Sequence, residues 1–91
     1  MAFLEDKNRF YQIDASGNLI AEIVFTTDSQ TNSLIVERTF VDPNYRGQGL
    51  AKQLVDLVVL KARQEHKHII PLCGYVRKVL NESSEYQDVL K

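Results

Sequence analysis

Val41-Asp42-Pro43-Asn44-Tyr45-Arg46-Gly47-Gln48-Gly49-Leu50-Ala51-Lys52-Gln53-Leu54 is the stretch on which the reading of this chain turns. A strand ends at a proline, a short loop carries glycines at 47 and 49, and apolar residues then recur at helical spacing. Such a loop turns several backbone N–H groups toward one point and aims a helix N-terminus at it. That geometry suits a phosphate or pyrophosphate. Gly47 and Gly49 let the backbone approach a ligand with no Cβ in the way. Arg46 and Lys52 add positive charge nearby. The alternative is a structural turn whose glycines bind nothing.

Two common phosphate motifs do not fit. A Walker-type loop closes with Gly-Lys-Ser/Thr, whereas Gly49 is followed by Leu50-Ala51-Lys52. The dinucleotide fingerprint keeps its first two glycines at 47 and 49 but meets Lys52 in third place, and nothing before Gly47 reads as helical.

Outward from the loop, Ser33–Val41 alternates as a strand, with Leu34, Val36, Arg38 and Phe40 on one face and Ile35, Glu37, Thr39 and Val41 on the other. Before it, Leu19–Thr27 is a second alternating run, with Leu19, Ala21, Ile23 and Phe25 opposite Ile20, Glu22, Val24 and Thr26. Phe10–Asp14 precedes that run, closed by the hairpin signal Asp14-Ala15-Ser16-Gly17-Asn18. Short turns make these three an antiparallel meander. Downstream, Leu50, Ala51, Leu54, Leu57, Val58 and Ala62 stripe a helix over 48–65, and Val55, Val59 and Leu60 widen the stripe. His68–Leu72 reads as a fourth strand, parallel to the third because a helix crosses between them. Short helices are expected over 74–81 and 84–90. The whole reads as one α+β domain over residues 1–91, a three-layer-like α/β core.

Eleven basic and twelve acidic residues give a net charge of −1, which offers no general attraction to nucleic acid or an anionic membrane. An apolar fraction of 44% is ordinary for a folded domain. A lone cysteine fits a reducing compartment. The opening residues lack a signal-peptide pattern, and no apolar run approaches the ~18 residues of a membrane span. These observations imply a cytoplasmic protein. His66 and His68 have no partner at metal-ligand spacing, so no metal is expected.

Arg46-x-x-Gly49-x-Ala51, preceded by Val41-x-Pro43, resembles the Gln/Arg-x-x-Gly-x-Gly/Ala signature of the Gcn5-related N-acetyltransferases. Ile70-Pro71-Leu72-Cys73-Gly74-Tyr75-Val76 and Glu85-Tyr86 are similar to a small single-domain branch with a Pro-x-Cys-x-Tyr segment. The resemblance implies an acetyl-CoA cosubstrate, with its pyrophosphate on Arg46, Gly47, Gln48, Gly49, Leu50 and Ala51. Its pantetheine arm would lie in a gap between the third and fourth strands and pair with Phe40 and Val41. Asn81 resembles an asparagine that contacts the coenzyme in larger relatives. The family's N-terminal helices and last strands find no counterpart here. The branch often carries His-Thr where this chain has Arg38-Thr39, and proline where it has Gly74.

Acetyl transfer needs a polarised carbonyl, a deprotonated amine and a protonated leaving thiolate. Cys73 falls just before a short helix, where a thiol pKa drops. It is either an acetyl carrier, a neighbour of the thioester, or a buried inert thiol. Tyr75 is the candidate acid toward the thiolate, against a packing role. Glu37 is the candidate base, with Glu22 as the other strand glutamate; solvated strand residues are the alternative. The expected function is an acetyl-CoA-dependent N-acetyltransferase acting on an unread amine. A coenzyme A or acyl-CoA binding module without efficient turnover is the alternative, and a plain interaction domain a third.

Overall fold

The computed structural model describes residues 2–91. One sheet holds five strands in sequence order: β1 (Leu4–Asp6), β2 (Arg9–Ile13), β3 (Leu19–Asp28), β4 (Ser33–Val41) and β5 (His68–Pro71). Neighbours from β1 to β4 are antiparallel, and β5 runs parallel to β4. Helix α1 (Leu50–Gln64) makes the crossover, and α2 (Gly74–Glu82) follows β5. The meander, the crossover helix and the parallel strand expected from the sequence are all present.

Local chemistry explains the turns. The Asp14 carboxylate accepts from the N–H groups of Ser16 at 2.8 Å and Asn18 at 2.9 Å, closing the β2–β3 hairpin. Asn32 donates its side-chain amide to the His66 carbonyl at 2.8 Å, tying the β3–β4 turn to the end of α1. Strand β1 escaped the sequence reading because its three residues are all exposed and carry no buried alternation.

The expected helix over 84–90 does not form. A single 3-10 turn spans Ser84–Tyr86, and Leu90 then bridges Ile69 in parallel. The Ile69 N–H donates to the Val89 carbonyl at 2.6 Å, and the Lys91 N–H donates to the Ile69 carbonyl at 3.0 Å. These strand-edge bonds stand beside turn bonds from the Val89 and Leu90 N–H groups to the Tyr86 carbonyl, both at 3.1 Å. Arg63 anchors the segment, with Nε at 2.9 Å from Asp88 Oδ2 and Nη2 at 2.6 Å from the Glu85 carbonyl.

A bulge decides which side chains reach the site. Val36 opposes Phe25 and Arg38 opposes Val24, so Glu37 is an extra residue in β4. The alternation read from sequence placed Arg38 and Phe40 with Leu34 and Val36. The bulge reverses it: Thr39 opposes Ile23 and Val41 opposes Ala21, on the helix-covered face. Ile20 is likewise extra in β3 and fully buried, which removes it from the face shared with Glu22.

Both helices lie on one face, so sheet and helices make two layers. Ala21, Ile23, Phe25, Leu34, Val36 and Ile69 pack against Leu54, Val55, Val58, Val59 and Ala62 of α1 and Val76, Val79 and Leu80 of α2. Each fully buried Leu, Ile or Val adds ~1.5–3 kcal/mol. Leu60 does not join this stripe; it is 52% exposed. On the other face, Val24, Ile35, Phe40 and Ile70 remain partly exposed.

Candidate active site

β4 leaves the sheet into the loop through a tight sequence of bonds. The Asp42 N–H donates to the Ile20 carbonyl at 2.7 Å, and the Asp42 side chain caps the 3-10 turn Pro43–Tyr45 by accepting from the Asn44 N–H at 2.8 Å. Gly47 and Gly49 then adopt φ values of +81° and +80°. A Cβ at Gly47 would meet no protein atom within 4 Å, so backbone conformation, not internal crowding, calls for glycine there.

Gly49 is also the N-cap of α1 and offers no side-chain oxygen, and the first turn of α1 carries no acidic residue. The leading N–H groups of α1 therefore keep their capacity to bind an anion from outside the helix. Arg46 lies across the loop, its Nε donating to the Val41 carbonyl at 3.2 Å. Lys52 is held by both Asp56 oxygens at 3.1 Å, and the Tyr86 hydroxyl donates to the same carboxylate at 2.9 Å. Hydrogen bonding to Tyr86 and then to Asp56 holds the Lys52 ammonium well above the usual lysine range.

These groups open on a cavity of about 420 Å³ lined by Thr39, Val41, Tyr45, Arg46, Gly47, Gly49, Leu50, Ala51, Lys52 and Tyr75. The cavity adjoins a stretch of strand with no neighbour. β4 and β5 pair only from Ser33↔His68 to Val36↔Pro71. The Val36 carbonyl then accepts from Leu72 N–H at 3.0 Å and Cys73 N–H at 3.1 Å, and the chain turns into α2. Among the described residues, β4 beyond Val36 pairs with no strand on that side.

Cys73 sits where the strands part, half-buried as N-cap of α2, with Sγ hydrogen-bonded to Thr39 Oγ1 at 3.6 Å. Burial pushes the thiol up. The Val76 N–H, the Thr39 hydroxyl and the N–H groups of Tyr75 and Thr39 outweigh it and bring the pKa below the ordinary thiol value. The thiol makes no capping hydrogen bond to the first turn of α2, whose dipole also favours the thiolate.

The structure thus gathers Val41, Arg46, Gly47, Gly49, Leu50, Ala51 and Tyr75 around one cavity, with Cys73 joined to it through Thr39. Glu37 is exposed on the bulge, outside the cavity lining. Phe40 pairs with Glu22 on the opposite face of β4, outside the cavity lining. Gln48 is exposed at the loop's tip. Asn81 is turned to its own helix, donating to the Arg77 carbonyl at 2.7 Å. Thr39 and Tyr45 were not singled out from sequence. The signal for Thr39 was hidden by the Glu37 bulge, which no residue pattern announces.

A sequence profile of the GCN5-related N-acetyl-transferase family matches residues 9–89. The chain belongs to that family. A solution structure of a candidate GCN5-like N-acetyltransferase from Staphylococcus aureus is 31% identical, with TM-score 0.81, over 99% of this chain and 87% of the other. A family N-acetyltransferase from Escherichia coli in complex with CoA is 26% identical, with TM-score 0.60, over 69% of this chain and 38% of its own. Nourseothricin acetyltransferase is 27% identical, with TM-score 0.57, over 67% and 36%. The chain therefore spans less than two-fifths of the length of these last two, and most of the Staphylococcus aureus protein. No curated protein matches the sequence.

Proposed function

We propose that this protein is an acetyl-CoA-dependent N-acetyltransferase. One observation carries the reading: an uncapped helix N-terminus, two left-handed glycines and the Arg46 guanidinium converge on a cavity that borders the unpaired edge of β4. The likeness to a CoA-bound family member supports it. In this reading the pyrophosphate lies on the Arg46–Ala51 loop, against the N–H groups of α1. The pantetheine arm extends the sheet along Phe40 and Val41, and the thioester reaches the parting of the strands beside Thr39 and Cys73.

The chemistry then runs as follows. Glu37, exposed at the bulge, takes a proton from the acceptor ammonium. The free amine attacks the thioester carbonyl carbon. The C–S bond breaks, and Tyr75 in the first turn of α2 protonates the departing thiolate. A backbone N–H of β4 polarises the carbonyl as charge develops on oxygen. A covalent relay is a second reading, favoured by the lowered thiol pKa and the Thr39 bond. The Cys73 thiolate attacks the thioester, CoA leaves as thiolate and takes the proton, and the amine then attacks the acetyl-cysteine.

Titration calorimetry with acetyl-CoA and CoA tests the core of the proposal. Micromolar binding is expected, falling ~10-fold or more in Arg46→Ala as a charge-assisted contact is lost. Unchanged affinity in that variant would refute the pyrophosphate placement. Failure to bind either compound would leave a plain interaction domain. Binding without acetylation of any amine would leave a coenzyme-binding module. An acetyl-sized mass gain lost in Cys73→Ala would select the covalent route.

A further inference from the structure

The edge of β4 beyond Val36, unpaired by β5, borders both faces of the sheet, and the two faces differ. On the helix-covered face it meets Thr39, Val41 and the loop cavity. On the bare face it meets Arg38, whose side chain is 58% exposed. The bulge turns Arg38 to that side, opposite Val24. Its guanidinium is aimed by Glu22, a carboxylate only 10% exposed, which takes Arg38 Nη2 at 3.2 Å on one oxygen and Arg9 Nη1 at 2.9 Å on the other. Arg9 is fixed in turn, by Asp6 at 2.9 Å and over the Tyr11 ring at 3.9 Å.

Glu22 thus spends its charge on two arginines. Arg9 makes two ion pairs and lies over the Tyr11 ring, whereas Arg38 makes this one ion pair and keeps the rest of its five-donor fork free. Glu37 stands beside it, also exposed. Across the gap, Leu72, the residue that follows β5, is 59% exposed. An arginine with free donors and an adjacent exposed carboxylate therefore stand on the β4 side of the gap, and an exposed apolar side chain on the other.

We infer that Arg38 anchors the acceptor, and that the acceptor is an amine that also bears a carboxylate, the amino-acid class. The inference rests on the acetyl-transfer reading above. With α1, α2 and the coenzyme filling the helix-covered face, the amine must come from the bare face. There its ammonium meets Glu37, its carboxylate meets the Arg38 fork in bidentate geometry, and an aliphatic side chain lies on Leu72. Glu22 is a positioning residue that holds the fork in place.

Leucine, leucinamide and 3-methylbutylamine form a matched set that differs in the carboxylate. Each is titrated into the CoA-equilibrated protein, reading calorimetric affinity and the Arg38 Nε–Hε resonance. Leucine is expected to bind ~10-fold or more tighter than either analogue and to shift that resonance. Arg38→Ala should erase the preference, while Arg38→Lys keeps part of it. Equal binding of all three compounds, a preference that survives Arg38→Ala, or no leucine binding up to its solubility overturns the inference. CoA affinity, measured on the same samples, tests the coenzyme reading separately, so failure of one is distinguishable from failure of the other.

Discussion

At the scale of single residues, Cys73 shows opposing effects on one atom. Burial alone would make it an inert thiol. The α2 N-terminus and the Thr39 hydroxyl favour the thiolate and win. Alkylation by iodoacetamide should reach half its plateau rate at a lower pH than in the urea-unfolded chain. Thr39→Val should move that midpoint upward. A midpoint unmoved by the substitution would mean that the hydroxyl does not reach the sulfur in solution. The sign for stability follows from the same shift. A thiol whose folded pKa is depressed adds stability above its unfolded pKa, and that stability is lost as pH falls through the folded value.

At the scale of elements, the loop and the first turn of α1 form the unit on which the proposed function depends. A helix start normally recruits a Ser, Thr, Asp or Asn cap and an acid in its first turn. This one has Gly49, no acid and a lysine. Lys52 is tolerated because Asp56 and Tyr86 hold it. Gly47→Ala separates structure from binding. With φ at +81° and no atom near the new Cβ, the substitution should cost ~1–2 kcal/mol of stability through backbone strain alone. Urea unfolding measures that cost. If the loop holds the pyrophosphate, CoA affinity drops as well at temperatures where the variant is fully folded; if it is only a turn, affinity is untouched.

At the scale of the whole molecule, a two-layer fold of this length has a modest core. The segment after α2 therefore matters beyond its size. Val89 is 1% exposed, and residues 89–91 supply backbone bonds to the outer edge of β5. Deleting residues 89–91 should lower stability by ~2–4 kcal/mol, through the lost burial and cross-strand bonds. It should also leave β5 as an open edge prone to pairing with other chains. Urea denaturation gives the first effect and light scattering near the midpoint the second. A midpoint equal to that of the intact chain would show that the bridge to Ile69 does not persist in solution.

Much of this was legible from residues alone. The Pro43–Gly49 punctuation, the period-3.6 stripe through Leu54, Val58 and Ala62, and the alternation in Leu19–Thr27 determined where the strands, the crossover helix and the glycine loop lie, because those signals are local and depend on neighbours within a few positions. They also brought out Arg46, Gly47 and Gly49, whereas Cys73 and Tyr75 came forward through the resemblance to the family. What the tertiary structure decided was every feature set by a distant partner. The Glu37 bulge exists only against β3, and by shifting alternation one step it gave Thr39 to the cavity and Arg38 to the bare face. The segment after Tyr86 had helical promise but gained more from the free edge of β5. The parting of β4 from β5 follows from one carbonyl, at Val36, accepting two N–H groups, a choice no spacing in the chain records.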